Sequence, residues 1–471
     1  MLQNQKMDRL LSCFTSKTYP LNIVFFLLCT VCACSGSTVT TVSDGLVTPE
    51  PTPISRTFFI DGNAVTGLNH STAVTARKPV LATNNSKLYL VWKETNGTKT
   101  QIRAKVNRGT DEAPDWASVD GGLSPGLNKL TAQNADNPHL ISFNSKLYAI
   151  WNEETAGTST PGRIWIAVYN GNDSAPSWSF VDSLGSGLNK DSARNAVSPH
   201  LAVFNSKLYA AWKEHNGTQD QVRVAVYNGN DSAPGWTFIE GASNQIYGLN
   251  KDPARGINTP KLIASSSKLY ATWIEHNGSQ NQIRVASFNG NHSAPSWTFI
   301  EGASNPINGL NHDPTKNVSS SVLAATNSYL YATWSEYNGT QNQIRVAVFN
   351  GNDSAPSWTF IEGASNPING LNKDPSLNVS TPQILAIGDF LYLSWVEAAT
   401  GYNNEIRLAL YNESSTKWSF LDGDGVIGLN YNPAQPSYEC SFARGNDSNL
   451  YLTWAEYAPG VADQIRVLAG K

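Results

Sequence analysis

The sequence predicts an all-β protein, a seven-bladed β-propeller of four-stranded antiparallel blades, and three observations predict it. The phrase Leu-Tyr-x-x-Trp-x-Glu recurs seven times, at steps of 59 to 61 residues. Each repeat contains four short segments rich in β-branched and aromatic residues, separated by turn residues. The last repeat lacks its fourth segment, and a matching segment precedes the first repeat. Such a period indicates an architecture of repeated units. The tryptophans of the phrase are Trp92, Trp151, Trp212, Trp273, Trp334, Trp395 and Trp454.

The third repeat shows the four predicted strands, a to d, most plainly. Apolar and polar residues alternate along its second and third segments, and an Asn-Gly turn between them is a strong signal for a β-hairpin. No stretch shows the 3.6-residue period of a helix for long enough to form one. The four segments are residues 199–204, 207–214, 221–227 and 236–240.

The two ends of the repeat array distinguish a closed ring from an open one. A blade that is apolar on both faces must be covered by a neighbour on each side, and radial packing achieves this. A linear solenoid is the alternative, but its terminal repeats should carry polar caps. Residues 57–62 match strand d, whereas the chain ends after strand c, at residues 464–468. We therefore predict a ring closed by an N-terminal strand that completes the last blade.

The first 54 residues lie outside the predicted propeller. Residues 1–33 join a positively charged start to an apolar run of 13 residues. This run is shorter than the roughly 20 residues that span a bilayer, and it is typical of a signal peptide. Residues 34–54, rich in Ser, Thr and Pro, are predicted to be an extended tether, and residues 55–471 the propeller.

The apolar run ends in Val31-Cys32-Ala33-Cys34-Ser35, which resembles a bacterial lipobox. The resemblance implies that Cys34 is lipidated and becomes the mature N-terminus. It also implies export to the bacterial cell envelope, with a lipid anchor at the outer membrane or cell surface. An ordinary secretory signal that is cleaved nearby is the alternative.

Composition and charge limit the disulfides, ligands and partners that the protein is expected to have. Of five cysteines, only Cys34 and Cys440 remain after removal of the signal, so no disulfide is expected if Cys34 carries lipid. The formal net charge is −4 and no basic cluster occurs, which argues against nucleic acid as a partner. The aspartates near the Gly-Leu-Asn phrases lack the spacing of a calcium loop. We expect a monomer without metal or cofactor.

The turn between strands c and d carries a resemblance. An acidic residue stands five positions before a tryptophan, as in Asp173/Trp178 and Asp231/Trp236, and His292 replaces it before Trp297. This turn resembles a degenerate Asp-box of sialidase-like propellers, with its glycine replaced by alanine in most copies. The repeats also resemble those of bacterial secreted and lipoprotein propellers. In sialidase-like propellers the box is structural and lies on the face away from the ligand, so the resemblance implies the fold rather than an activity.

Charged residues recur at the end of strand b and in strand c. Antiparallel pairing would place Trp212 and Glu214 beside Gln221 and Arg223. One interpretation is a structural Arg–Glu pair in each blade. The other is a repeated sugar pocket of Arg, Glu and Trp, the chemistry of fungal fucose-binding propeller lectins, whose repeat pattern this chain does not share. The candidates are Glu94, Glu153, Glu214, Glu275, Glu336, Glu397, Glu456, Arg103, Arg223, Arg284, Arg345, Arg407 and Arg466, with Trp165 replacing the arginine in the second blade.

Two further positions are candidates for binding. The d-to-a connections carry a Gly-Leu-Asn phrase in every repeat, either as binding loops or as turns. The position after the strand-a proline should lie near the mouth of the central tunnel, and it differs between blades while its surroundings barely change. It reads Val80, His139, His200, Lys261, Val322 and Gln383, and near Glu439–Cys440 in the seventh blade. Such asymmetry is expected if a single ligand binds at the centre of the ring. It is also expected if the tunnel only holds water, because the residues that line it are then free to vary.

The sequence lacks the common motifs of hydrolytic active sites. The Phe-Arg-Ile-Pro phrase of sialidases, Gly-x-Ser-x-Gly and His-Glu-x-x-His do not occur. Catalysis needs one asymmetric constellation, whereas near-identical blades suit multivalent binding. The sequence therefore predicts a non-catalytic, carbohydrate-binding propeller. A protein-interaction scaffold at the envelope or host surface and a sialidase-like glycoside hydrolase are the alternatives.

Overall fold

The computed structural model describes residues 56–62, 67–121, 126–155, 160–182, 185, 187–241, 247–302, 307–363, 369–399, 403–422, 428–445 and 449–471. The predicted signal peptide, tether and lipidated Cys34 lie outside the described residues. The described part of the chain contains 28 β-strands in seven four-stranded antiparallel sheets, and no helix. The predicted seven-bladed β-propeller is confirmed.

Strand a is the innermost strand of each blade, and strand b pairs with it. The a strands are β2 (Ala76–Asn84), β6 (Asn134–Phe143), β10 (Ala196–Phe204), β14 (Ile257–Ala264), β18 (Val318–Ala325), β22 (Val379–Ile387) and β26 (Ser437–Arg444). The b strands are β3 (Lys87–Thr95), β7 (Lys146–Glu154), β11 (Lys207–His215), β15 (Leu269–His276), β19 (Leu330–Tyr337), β23 (Phe390–Ala398) and β27 (Leu450–Tyr457).

Strand c follows outward, and strand d is a short outer edge. The c strands are β4 (Thr100–Asn107), β8 (Arg163–Tyr169), β12 (Asp220–Tyr227), β16 (Asn281–Phe288), β20 (Asn342–Phe349), β24 (Asn404–Asn412) and β28 (Asp463–Gly470). The d strands are β5 (Trp116–Ser118), β9 (Trp178–Phe180), β13 (Trp236–Phe238), β17 (Trp297–Phe299), β21 (Trp358–Phe360), β25 (Lys417–Phe420) and β1 (Thr57–Phe59). We number the blades 1 to 7 in the order of their a strands.

Ring closure occurs as predicted. β1 pairs with β28, with Thr57 opposite Gly470 and Phe59 opposite Leu468. Blade 7 therefore takes its outer strand from the N-terminal side of the propeller and its other three strands from the C-terminal end.

The core consists of apolar clusters that lie between neighbouring blades. Trp151 of blade 2, for example, belongs to the same cluster as Val91 and Ile102 of blade 1. The seven tryptophans of the repeated phrase are all completely buried. Large rings such as these contribute most of the apolar burial, so the phrase that marks each blade also attaches it to its neighbour.

Every a strand contains a β-bulge near its start. In β10 the pairing register shifts between Val197 and His200, and Ser198 has a φ of 56°. A residue other than glycine rarely adopts this left-handed conformation. The equivalent residues of the seven blades are Lys78, Asn137, Ser198, Thr259, Ser320, Thr381 and Glu439, with φ between 37° and 56°.

The acidic residue of the Asp-box-like turn connects adjacent blades. Asp231 in blade 3 accepts hydrogen bonds from Lys146 Nζ (2.6 Å) and Tyr148 Oη (2.9 Å) of blade 2, and from Tyr227 Oη of its own blade (2.9 Å). In blade 4, His292 bonds the Tyr209 hydroxyl at 2.9 Å instead. These contacts give the turn a structural role, as the resemblance implied.

Candidate functional site

The strand order gives the propeller two chemically different faces. The turns between strands b and c and the connections from strand d to the next strand a share one face, which we call the loop face. The a–b and c–d turns, including the Asp-box-like turns, share the opposite face, which we call the hairpin face. The strand-b glutamates and the strand-a bulges both lie toward the loop face, because strand b ends there and strand a begins there.

The strand-b glutamates are buried and bonded within the fold. Glu214 is fully buried, and its carboxylate accepts hydrogen bonds from Trp212 Nε1 (2.9 Å), Lys190 N (2.8 Å) and Asp191 N (3.0 Å). The two backbone donors belong to the connection that leads into the same blade. The equivalent carboxylates of Glu94, Glu153, Glu275, Glu336, Glu397 and Glu456 accept the same three kinds of hydrogen bond.

Burial changes the pKa of four of these carboxylates. It raises the pKa of Glu214 above its usual range, against the opposing hydrogen bonds and the charge of Arg223. The pKa of Glu153, Glu336 and Glu397 is raised for the same first reason. A buried carboxylate that is held by three donors fixes the position of the connecting loop.

The strand-c arginines are equally buried, and each has an acidic partner at the end of strand d. Arg284 lies closer to the strand-b Glu275 (3.5 Å) than to the strand-d Glu301 (3.7 Å). Trp212 lies opposite Arg223, and Glu214 opposite Gln221, as predicted. Arg223 nevertheless approaches Glu240 at the end of strand d more closely (3.4 Å) than Glu214 (3.7 Å). The strand-d partners are Asp120 for Arg103, Glu240 for Arg223, Glu301 for Arg284, Glu362 for Arg345, Asp422 for Arg407 and Asp61 for Arg466.

Blade 2 departs from this pattern. Trp165 replaces the arginine and is buried opposite Trp151. Asp182, at the position of the strand-d acids, accepts a hydrogen bond from Gly187 N at 3.0 Å, and burial raises its pKa. The seven Glu and six Arg candidates thus have internal partners, so a ligand could reach them only by displacing those partners. Their role in ligand binding stays a prediction.

The central channel is the main cavity on the propeller axis. It has a volume of about 770 Å³ and is lined by all seven a strands. The position that follows each bulge lies on its wall, as predicted. In blade 7 the strand register gives this position to Ser441 rather than to Glu439 or Cys440. The seven residues are Val80, His139, His200, Lys261, Val322, Gln383 and Ser441.

His139 and His200 form a pair on this wall. Their ring centroids are 3.9 Å apart. His139 Nδ1 accepts the backbone N–H of Leu201, and His200 Nδ1 accepts that of Leu262, both at 3.3 Å. Burial lowers the pKa of His139 to about 3 and holds that of His200 well below 6.5, with nearby positive charge adding to the effect. Both imidazoles are therefore neutral at pH 7, with the proton on Nε2.

Lys261 continues this row in blade 4. Burial lowers the pKa of its ammonium group to about 8. Among the residues that the structure describes, the Cys440 thiol is the group that acts in the opposite direction and raises this pKa. In the same part of the chain, no three His, Cys, Asp or Glu side chains are grouped to hold a metal ion.

Four exposed tyrosines, which the sequence did not suggest as candidates, lie on the loop face. Tyr247, Tyr337, Tyr431 and Tyr457 are 37 to 43% exposed and belong to d–a connections or to the ends of b strands. Tyr329, 49% exposed, lies on the hairpin face in an a–b turn. The position after each strand-b glutamate could have suggested Tyr337 and Tyr457, because strand alternation turns it away from the core. No described helix has the length and apolar character needed to cross a bilayer.

Comparison with known proteins identifies the fold but no family. No protein-family model and no curated protein matches the sequence. The solved structure of polysaccharide lyase Uly1 is similar with a TM-score of 0.50 and 8% identity, over 83% of this chain and 88% of that one. A protein of unknown function from Dyadobacter fermentans DSM 18053 gives a TM-score of 0.46 and 8% identity, over 89% and 98%.

Trypanosoma rangeli sialidase, solved with the inhibitor DANA, gives a TM-score of 0.43 and 11% identity, over 84% of this chain. The chain spans about half of the sialidase, 55% of its length. At such low identity these likenesses extend to the propeller fold alone. By its architecture, this chain is a β-propeller of seven four-stranded antiparallel blades.

Proposed function

We propose that this protein is a non-catalytic propeller that binds carbohydrate on its loop face. The observation that carries the proposal is the exposure of Tyr247, Tyr337, Tyr431 and Tyr457 on that face, with the Tyr431 ring also in contact with Phe59 and Arg466. Aromatic rings with a polar tip stack on pyranose rings and donate hydrogen bonds, at little cost in side-chain entropy. The tyrosines belong to different blades, so the arrangement suits several saccharide units at once. In this proposal the buried strand-b glutamates, which are bonded within the fold, hold the scaffold and do not serve as catalytic acids.

A glycan array followed by calorimetric titration of the best ligand tests this function. Combined Tyr337→Ala and Tyr457→Ala substitutions should weaken saccharide binding by about tenfold or more. Tyr329→Ala is the matched control, because this tyrosine is exposed on the opposite face. It should leave affinity unchanged. The proposal would be contradicted if no glycan on the array bound the protein, or if Tyr329→Ala lowered saccharide affinity as much as the combined substitutions. Release of reducing sugar from a bound glycan would indicate the glycoside hydrolase alternative instead.

A protein-interaction scaffold is the second candidate, favoured by one observation. Ile307 (55% exposed) and Val461 (38% exposed) place apolar surface on the same loop face. A protein partner would bury both apolar side chains together with the tyrosines. Crosslinking in cells with a photoreactive group at position 307 tests this candidate, with position 329 on the hairpin face as the control.

We also propose that the propeller is held at the bacterial envelope through lipid on Cys34. The lipobox resemblance and the Ser/Thr/Pro-rich residues 34–54 support this localisation. Cells fed an alkyne-tagged fatty acid should label the protein, and a Cys34→Ala variant should lose both the label and membrane association. Labelling that persists in this variant would contradict the proposal.

A further inference from the structure

The wall of the central channel is chemically asymmetric. On blades 2, 3 and 4 the position after the bulge holds His139, His200 and Lys261, three nitrogen-bearing side chains in a row. The same position holds valine, glutamine or serine on the other four blades. The ring is otherwise built from near-identical repeats, so one sector of the channel differs in chemistry from the rest.

The two histidines present hydrogen-bond donors to the channel. Their Nδ1 atoms already accept the N–H groups of Leu201 and Leu262, which fixes the tautomer with hydrogen on Nε2. Neither Nε2 atom has a hydrogen-bond partner among the described residues. The two rings make the same bond one blade apart, and their centroids lie 3.9 Å from each other on the wall.

Lys261 supplies the positive charge of this sector. Two acids of neighbouring a strands have other partners: Glu439 accepts Lys78 N at 2.7 Å, and Asp136 binds the Lys78 ammonium at 2.8 Å. Burial raises the pKa of the Cys440 thiol to about 11, so it offers no counter-charge at neutral pH. An ammonium group inside a protein cavity is stabilised by an anion that replaces its lost hydration.

We propose that Lys261, His139 and His200 form a binding site in the central channel for an anionic oxygen group, a carboxylate or a sulfate. Lys261 provides the charge and the two imidazole Nε2–H groups provide neutral donors. A cavity of about 770 Å³ accommodates a ligand of the size of one or two sugar units. The ligand is either a free small anion or a saccharide that bears an acidic group. This site is separate from the tyrosines of the loop face.

Calorimetric titration of the full propeller with glucuronate, glucose and sodium sulfate tests the site. Glucuronate should bind at least tenfold more tightly than glucose. Sulfate that binds as tightly as glucuronate would identify a free anion as the ligand, and weaker sulfate binding an acidic saccharide. Equal affinity for glucuronate and glucose would overturn the proposal.

Variants separate the site from general stability. Lys261→Met should lower glucuronate affinity by about tenfold or more. Lys268→Met is the matched control, because Lys268 lies in the a–b turn just before β15 and bonds Asp353 at 2.6 Å on the hairpin face. Val322→Glu keeps Lys261 and adds a carboxylate on the next blade, so it should also abolish binding. Unchanged affinity in Lys261→Met or Val322→Glu would overturn the proposal. The combined Tyr337→Ala and Tyr457→Ala variant should keep its glucuronate affinity, because the tyrosines lie outside the channel, and loss of that affinity would overturn the proposal.

Discussion

At the scale of the residue, Glu214 tests whether the repeated glutamates hold the fold. Its carboxylate satisfies three buried donors, from Trp212, Lys190 and Asp191. Glu214→Ala leaves all three without an acceptor and should lower the free energy of unfolding by about 3 kcal/mol or more. Glu214→Gln keeps one acceptor oxygen and should cost less. Chemical denaturation followed by tryptophan fluorescence measures both.

Glu112 provides the comparison for Glu214. Its side chain is 65% exposed and forms an ion pair with Lys471, itself 36% exposed. Glu112→Ala should therefore leave the free energy of unfolding unchanged within error. A Glu214→Ala variant with normal stability but lost saccharide affinity would instead indicate a ligand-binding role for the repeated glutamates.

Asp61 makes the stability of the propeller depend on pH. Burial raises its pKa from 3.8 to about 6, against the opposing charge of Arg466. Between these values the folded protein keeps a proton that the unfolded chain has lost. The stability that this group contributes is therefore complete below pH 4 and is lost as the pH rises through about 6. Relative to an Asp61→Asn variant, the wild type should lose on the order of 2 kcal/mol between pH 4 and 7.

Urea unfolding at several pH values measures this difference. The Asp115→Asn variant is the control, because the Asp115 side chain is 59% exposed. It should follow the pH profile of the wild type. A constant difference between wild type and Asp61→Asn across this range would contradict the prediction.

At the scale of the element, the bulge of strand a stores backbone strain. Ser320 in β18 has a φ of 56°, whereas its neighbour Ser319 pairs regularly with Ser335. Glycine relieves strain at the first position and only adds unfolded-state entropy at the second. Ser320→Gly should stabilise the protein by about 0.5–1 kcal/mol, and Ser319→Gly should destabilise it by a similar amount. Calorimetric melting compares the two, and shifts of the same sign would contradict the prediction.

The strands could be predicted from the sequence because alternation and turn residues repeat in phase seven times. The b–c register, with Trp212 opposite Arg223, followed from the short Asn-Gly turn. The bulges could not be predicted, because a proline usually holds the preceding residue in an extended conformation. Thr259 precedes Pro260 and yet has a φ of 37°. Here the pairing of the whole sheet outweighs the local preference.

The candidate site was predictable only where it follows from strand position. The residues after the strand-a bulge were expected at the tunnel, and the register places them there. The pairing of Arg223 with Glu240 was missed, because strand alternation gives the face of a side chain but not its reach across to another strand. The recurring acid at the end of strand d could have suggested it. The exposure of Tyr247 and Tyr337 depends on how the connections fold over the blades.

At the scale of the whole molecule, repetition and departure from repetition have different roles. The buried tryptophans, glutamates and arginines recur because each blade must attach to the next in the same way. The channel row of His139, His200 and Lys261 and the exposed tyrosines break the repeat without disturbing those contacts. A ring of equivalent blades can thus carry one asymmetric site on its axis while its stability comes from the repeated parts.

Closure of the ring is the property that no single blade provides. β1 covers the edge of β28, Ile60 is fully buried, and its carbonyl accepts the Trp116 indole N–H of blade 1 at 2.6 Å. A chain that begins at residue 63 loses these contacts and the Asp61–Arg466 ion pair, and it exposes an unpaired strand edge.

The melting temperature of this shortened chain should fall by roughly 10 °C or more relative to a chain that begins at residue 55. A chain that begins at residue 35 is the control, and it should have the same melting temperature as the chain that begins at residue 55. A synthetic peptide of residues 55–62 should restore part of the loss by adding the missing strand. Equal melting of all three chains would mean that three strands suffice for blade 7.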